Sequence, residues 1–64
     1  MRGRIKSYSA RNGYGFITAD GQDFFLLHKE WEYRLPPTPG MMVDFVPKQT
    51  DKGLRATSVR KERM

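Results

Sequence analysis

Two aromatic rings stand two residues apart in the stretch Asn12–Ile17, which reads NGYGFI. On a β-strand, side chains two residues apart point to the same face, so Tyr14 and Phe16 share one face and Ile17 points to the other. Ile17 is a core-type residue, which predicts that the two rings face solvent. Exposed rings provide flat apolar surfaces on which a planar ligand such as a nucleobase can stack.

Residues that could perform acid–base, nucleophilic or metal chemistry are scarce. The chain has no cysteine and one histidine, His28, which argues against a disulfide framework, a thiolate site or a histidine-rich metal cluster. Asp20 and Asp23 lie at a predicted turn, and Ser7 and Ser9 have no recognisable general base. We therefore expect no enzymatic activity, no cofactor, no metal and no small-molecule substrate.

Positive charge is concentrated at the two ends of the 64-residue chain, whose net charge is +5. Residues 1–16 hold four basic residues and no acid, residues 17–47 hold two basic and five acidic residues, and residues 48–64 hold six basic and two acidic residues. If the first and last strands are neighbours, both ends form one positive face that attracts nucleic acid first and anionic membrane second. The alternative is a solvated surface that keeps a small protein soluble.

Five short apolar segments separated by turn signals predict an all-β chain forming one domain over residues 1–64. The predicted strands span residues 3–9, 14–19, 23–28, 41–47 and 53–60. Asn12-Gly13, Asp20-Gly21-Gln22 and residues 50–53 supply the tight turns, and prolines exclude a helix or a central strand late in the connection 29–40. Because closure removes exposed edges, we expect a five-stranded antiparallel barrel.

Period-two alternation within these strands predicts which side chains fill the barrel. The predicted core consists of Ile5, Ile17, Phe25, Leu27, Val43, Phe45, Ala56 and Val59. The outer face of the central hairpin is then predicted to carry Tyr14, Phe16, Phe24, Leu26 and His28. Three alternatives remain for the connection 29–40: it folds over this face and buries it, Trp31 or Tyr33 leans over the binding surface, or Trp31 covers an open end of the barrel.

These motifs resemble those of bacterial cold-shock proteins, which fold as five-stranded oligonucleotide-binding (OB) barrels. NGYGFI is similar to the first ribonucleoprotein motif of that family, and FLLH (Phe25–His28) is similar to the second. GRIKSYS resembles the first strand and GMMVDF…KGLRATSV the last two, so the similarity spans nearly the whole chain. The resemblance implies low-specificity binding of single-stranded RNA or DNA, as an RNA chaperone or a modulator of transcription or translation.

The resemblance also implies roles for individual residues. Stacking aromatics of the family fall on Tyr14 and Phe16, its binding histidine on His28, and a first-strand lysine and aromatic on Lys6 and Tyr8. With the basic and aromatic neighbours of these positions, the predicted nucleic-acid-binding set is Arg4, Lys6, Tyr8, Arg11, Tyr14, Phe16, Phe24, Leu26, His28 and Arg55.

Three departures from the family pattern keep a second hypothesis open. Ser7 stands in place of a stacking tryptophan, Asn12 in place of a lysine, and Leu26 in place of an exposed phenylalanine. The same barrel could therefore dock a protein partner or a second copy through its outer apolar face, as a monomer or weak homodimer. His28 could instead cap the third strand.

The sequence also bears on cellular location. No apolar run is long enough for a signal peptide or a membrane span, so we expect a cytoplasmic protein. Adhesion to an anionic membrane would require an amphipathic anchor, which the sequence does not offer.

Overall fold

The computed structural model describes residues 1–61 and confirms the all-β prediction. The strands are β1 (Arg2–Ser9), β2 (Tyr14–Ala19), β3 (Gln22–Leu27), β4 (Met42–Thr50) and β5 (Gly53–Lys61), and a short 3-10 turn spans His28–Glu30. The predicted strands overlap these, but β3 begins and ends one residue earlier than predicted, and β4 continues to Thr50. Within these residues, no helix is both long and apolar enough to cross a membrane.

The five strands close into an OB-type barrel in the order β1-β2-β3-β5-β4, with β4 paired back to β1. Four of the pairings are antiparallel, but β3 and β5 run parallel where Phe25 meets Arg55. The predicted five-stranded OB-type barrel is thus confirmed, and this seam is its one parallel pairing among residues 1–61. The reason is topological, because strand directions cannot alternate around a closed ring with an odd number of strands.

The barrel core contains ten buried side chains that share one cluster. They are Ile5, Ile17, Ala19, Phe24, Leu26, Trp31, Val43, Phe45, Ala56 and Val59. The predicted core is thus confirmed on β1, β2, β4 and β5 but is wrong on β3. There Phe24 and Leu26 are buried, whereas Phe25 and Leu27 are only half-buried.

The error on β3 comes from the length of the β2–β3 turn. Ala19 stands opposite Gln22, so only Asp20 and Gly21 form the turn, with φ values of 51° and 76°. A type I′ hairpin turn requires positive φ at both central residues, and the Asp-Gly pair is suited to it. The sequence prediction began β3 after a third turn residue, and a shift of one residue exchanges the inward and outward faces.

The long connection packs against β5 and leaves the outer face of the β2–β3 hairpin uncovered. The backbone N–H groups of Ser58 and Lys61 donate to Glu30 Oε1 and to the Tyr33 hydroxyl, both at 3.1 Å. Trp31 belongs to the core, and its indole Nε1 donates to the Leu35 carbonyl at 2.7 Å. The alternative that this connection buries the ring face is therefore wrong.

Gly15 occupies a point where β1 and β2 approach too closely for a side chain. A Cβ at this position would contact the Ser7 carbonyl oxygen and lie 2.6 Å from the Tyr8 Cα. We expect Gly15→Ala to lower the free energy of unfolding by about 2–3 kcal/mol, because backbone atoms must move to relieve the overlap. Urea denaturation followed by circular dichroism measures this loss.

Gly21→Ala is the matched control for this prediction. Nothing lies within 4 Å of a Cβ at Gly21, so the only cost is that of a positive φ, about 1–2 kcal/mol. If Gly15→Ala is no more destabilising than Gly21→Ala, the close approach of β1 and β2 at Gly15 is refuted.

Candidate nucleic-acid interface

Three aromatic side chains form a cluster on the outer face of β2 and β3, which we call the ring cluster: Tyr14, Phe16 and Phe25. Phe16 stands directly opposite Phe25 in the hairpin, and Tyr14 stands opposite Leu27. The Phe25 ring centre lies 5.6 Å from that of Tyr14 and 5.6 Å from that of Phe16. Tyr14 is 41% exposed and Phe16 36% exposed, so the cluster presents two rings to solvent with Phe25 half-buried between them.

A row of directly paired residues crosses the sheet through the ring cluster. Its members, from β1 to β4, are Ser7, Phe16, Phe25, Arg55 and Lys48. Directly opposite side chains stand on the same side of a sheet, so the row continues from the rings to two cations. The guanidinium carbon of Arg55 lies 5.9 Å from the Phe25 ring centre, within the range of a cation–π contact.

A groove of about 670 Å³ lies beside the ring cluster, between β3 and the β4–β5 hairpin. Its apolar lining comes from Phe16, Phe25, Leu27 and Leu54, and its polar lining from Asp23, Thr50, Lys52 and Arg55, with Gly53 at the hairpin. Mostly apolar walls with a few polar groups are typical of sites for small planar ligands. The groove therefore extends the ring surface toward the cations of β5.

Phe24 and Leu26, two members of the predicted binding set, cannot contact a ligand because both are buried in the core. Phe25 and Leu27 take their places on the outer face. The outward aromatic side chain of β3 is therefore Phe25, and the prediction that Phe24 and Leu26 lie on the outer face is wrong. The Asp20-Gly21 pair, treated as a two-residue turn, is the signal that could have found Phe25.

Tyr8 is also displaced from its predicted position. It stands opposite the buried Gly15 and packs against the core cluster. A β-bulge between Ile5 and Ser7 leaves both Lys6 and Ser7 exposed, because an extra residue shifts the alternation of all that follow. The residue of β1 beside Phe16 is thus Ser7, and Tyr8, which is predicted to stack on a base, packs against the core cluster instead.

The predicted cations surround the ring cluster at different distances. Lys6 Nζ forms an ion pair of 2.8 Å with Asp23 Oδ2, and both groups are exposed, so water screens the pair strongly. Arg4 stands opposite Thr18, toward the far end of β2, and Arg11 lies in the β1–β2 turn. Within residues 1–61, Arg4, Arg11 and Arg55 form no ion pair.

His28 lies at the end of β3, beside the β1–β2 turn. Its backbone N–H donates to the Gly13 carbonyl at 2.9 Å, and its imidazole lies next to the position that a Cβ on Gly13 would occupy. The exposed imidazole forms no hydrogen bond within residues 1–61, so no side-chain cap of the strand is seen there. The ring is thus available to a ligand that lies across Tyr14.

A second aromatic pair stands apart from the ring cluster. The ring centres of Trp31 and Tyr33 are 4.9 Å apart, and Lys61 Nζ lies 4.8 Å from the Tyr33 ring centre. These contacts fix Tyr33 against the end of β5, so neither residue leans over Phe16. Among residues 1–61, no group of three or more histidine, aspartate or glutamate side chains could hold a metal ion.

Comparison with known proteins finds no family model that matches this chain and no curated protein that matches its sequence. The OB-type barrel and the surface just described are therefore the basis for any functional assignment.

Proposed function

We propose that this protein binds single-stranded RNA or DNA with little sequence preference, through the ring cluster. The observation that carries the proposal is the exposure of Tyr14 and Phe16 around Phe25, in a row that continues into Arg55 and Lys48. Rings beside cations match the two parts of a nucleotide, because bases stack on the rings while phosphates approach exposed cations such as Lys48.

The rings are expected to supply more binding free energy than the exposed charges. Each base stacked on an aromatic side chain contributes about 1–3 kcal/mol, whereas an exposed ion pair contributes about 0–1 kcal/mol. The ring cluster offers a surface for two neighbouring bases. The net charge of +5 adds attraction that does not depend on sequence.

The preference for single strands follows from the same geometry. A duplex hides the faces of its bases in the stack, and only unpaired bases can lie on exposed rings. A protein that holds unpaired segments weakly and without strict sequence preference opposes base pairing. This is the activity of an RNA chaperone or of a modulator of transcription or translation, the role that the resemblance to cold-shock proteins implies in the cytoplasm.

Binding of a fluorescently labelled heptathymidine, followed by anisotropy at several salt concentrations, tests the proposal. We expect log K to fall linearly with log salt, with a slope of about 0.7 per phosphate contacted. Tyr14→Ala is expected to weaken binding roughly tenfold through the loss of one stacking surface. A self-complementary duplex of similar length is expected to bind more weakly.

Tyr33→Ala serves as the control for Tyr14→Ala. Tyr33 is 37% exposed, close to the exposure of Tyr14, but it lies outside the ring cluster, so its loss should leave the affinity for heptathymidine nearly unchanged. Absence of binding at low salt would refute the proposal. If Tyr14→Ala alters only self-association in analytical ultracentrifugation, the outer face is a protein-docking surface instead.

A further inference from the structure

We propose that Arg55 recognises one guanine base held in the groove beside Phe25, so that binding is tolerant of sequence at most positions but favours guanine at one. This inference rests on the proposed function and deepens it, because it assigns a base preference to the same surface. It depends on how Arg55 is held, on what lines the groove, and on the hydrogen-bonding pattern of the four bases.

Arg55 is positioned by the fold and yet has its donors free. It sits at the parallel seam of the barrel, paired with Phe25, and its side chain is half-buried with the guanidinium against the Phe25 ring at 5.9 Å. No ion pair and no hydrogen bond engages this guanidinium within residues 1–61. The planar guanidinium of Arg55, with its fork of N–H donors, therefore has a restricted orientation before any ligand binds.

The surroundings of Arg55 favour a base over a phosphate as its ligand. Phe16, Leu27 and Leu54 line the same groove, and apolar walls suit the face of a base rather than a charged, strongly hydrated phosphate. The cations that stand free in solvent, such as Arg11 in the β1–β2 turn, are better placed for the backbone.

The groove offers several donors. Lys52 and Arg55 contribute them, and the one carboxylate of the lining, Asp23, has its Oδ2 paired with Lys6 Nζ at 2.8 Å. Guanine presents two adjacent acceptors, N7 and O6, whose spacing fits the guanidinium fork. Adenine and thymine present no pair of adjacent acceptors on any edge, and cytosine presents one, N3 and O2, only on the edge that pairs in a duplex, so heptathymidines with a single cytosine are the comparison.

Stacking and recognition would then come from different residues. The ring cluster accepts any base, since every base has a π-face, whereas Arg55 discriminates between base edges. The expected outcome is a protein that binds heptathymidine and binds more tightly when one thymine is replaced by guanine at the position that reaches the groove.

A set of labelled heptathymidines, each with a single guanine at a different position, tests this inference by fluorescence anisotropy. We expect one position at which guanine tightens binding roughly tenfold over thymine. Replacing that guanine with 7-deazaguanine, which lacks the N7 acceptor, should remove most of the gain. Hypoxanthine, which keeps both N7 and O6, should retain it.

Arg55→Lys is the decisive variant, because it keeps the positive charge and removes the planar fork. We expect it to reduce the advantage of guanine from roughly tenfold to less than about twofold, because a single ammonium group cannot contact N7 and O6 together. Arg34→Lys, in the exposed connection, is the matched control and should preserve the preference.

Three results would overturn the inference, and they differ in what they imply. If heptathymidine binds but guanine is not favoured at any position, the base preference is wrong and the proposed function stands. If Arg55→Lys weakens all oligonucleotides equally, Arg55 contacts phosphate and not a base. If neither thymine-only nor guanine-containing oligonucleotides bind at low salt, the inference and the proposed function are both wrong.

Discussion

Phe24→Ala is expected to unfold most of the protein, whereas Phe25→Ala is expected to leave it folded. Phe24 is only 2% exposed, and its ring centre lies 5.0 Å from that of Phe45 across the core. Truncating a buried phenylalanine costs about 3–5 kcal/mol. A domain of 64 residues has a free energy of unfolding of roughly 3–10 kcal/mol. The loss caused by Phe24→Ala is therefore comparable with the total stability of the protein.

The two neighbouring phenylalanines form a matched pair for this measurement, since they are the same residue type on opposite faces of β3. Phe25 is half-buried by Tyr14, Phe16 and Arg55 on the outer face, and its removal leaves an open surface instead of a sealed cavity. Urea denaturation of both variants measures the difference. Equal destabilisation, or a larger effect of Phe25→Ala, would contradict the inward orientation of Phe24.

The strands and the barrel could be predicted from the sequence because turn signals and alternation agree along most of the chain. On β4, the polar Asp44 separates Val43 from Phe45, and both are buried as expected. On β3, the run from Phe24 to Leu27 is apolar at every position, so alternation cannot decide which face is inward. The type I′ turn decides it, because it fixes the partner of Phe16 as Phe25.

Two further features of the site depend on tertiary structure that the sequence does not signal. The β-bulge at Lys6 turns Tyr8 toward the core, and nothing in the GRIKSYS segment marks the extra residue. The predicted fourth strand ends at Pro47. Pro47 lies within the strand instead, opposite Ala56, and β4 continues to place Lys48 opposite Arg55.

The candidate site therefore divides into a part visible in sequence and a part created by closure of the barrel. Tyr14 and Phe16 are identified by their spacing of two residues on one strand. The contact of Phe25 with Arg55 joins residues thirty positions apart across the parallel seam, a pairing that exists only because β5 returns to β3. The predicted binding role of Arg55 acquires a specific partner ring only in the folded barrel.

The largest loss of binding is expected when Phe16 and Phe25 are both replaced by alanine. Each single substitution should weaken heptathymidine binding by about 1–3 kcal/mol, the contribution of one stacked base. The two rings touch, with centres 5.6 Å apart, so the double variant should lose less than the sum of the single losses. Part of the effect of Phe25→Ala comes from the contact that the Phe16 ring loses. This part of the effect is absent when Phe16 has already been replaced by alanine.

A double-mutant cycle of these variants, measured by anisotropy at one low salt concentration, gives the coupling between the rings. Val46→Ala is the control, because Val46 is an exposed apolar residue, 56% exposed on β4, that does not belong to the ring cluster. Circular dichroism confirms that each variant remains folded. If the folded double variant binds as tightly as Val46→Ala, the bases do not stack on the ring cluster. If the losses of binding free energy are strictly additive, Phe16 and Phe25 contact separate bases without supporting one another.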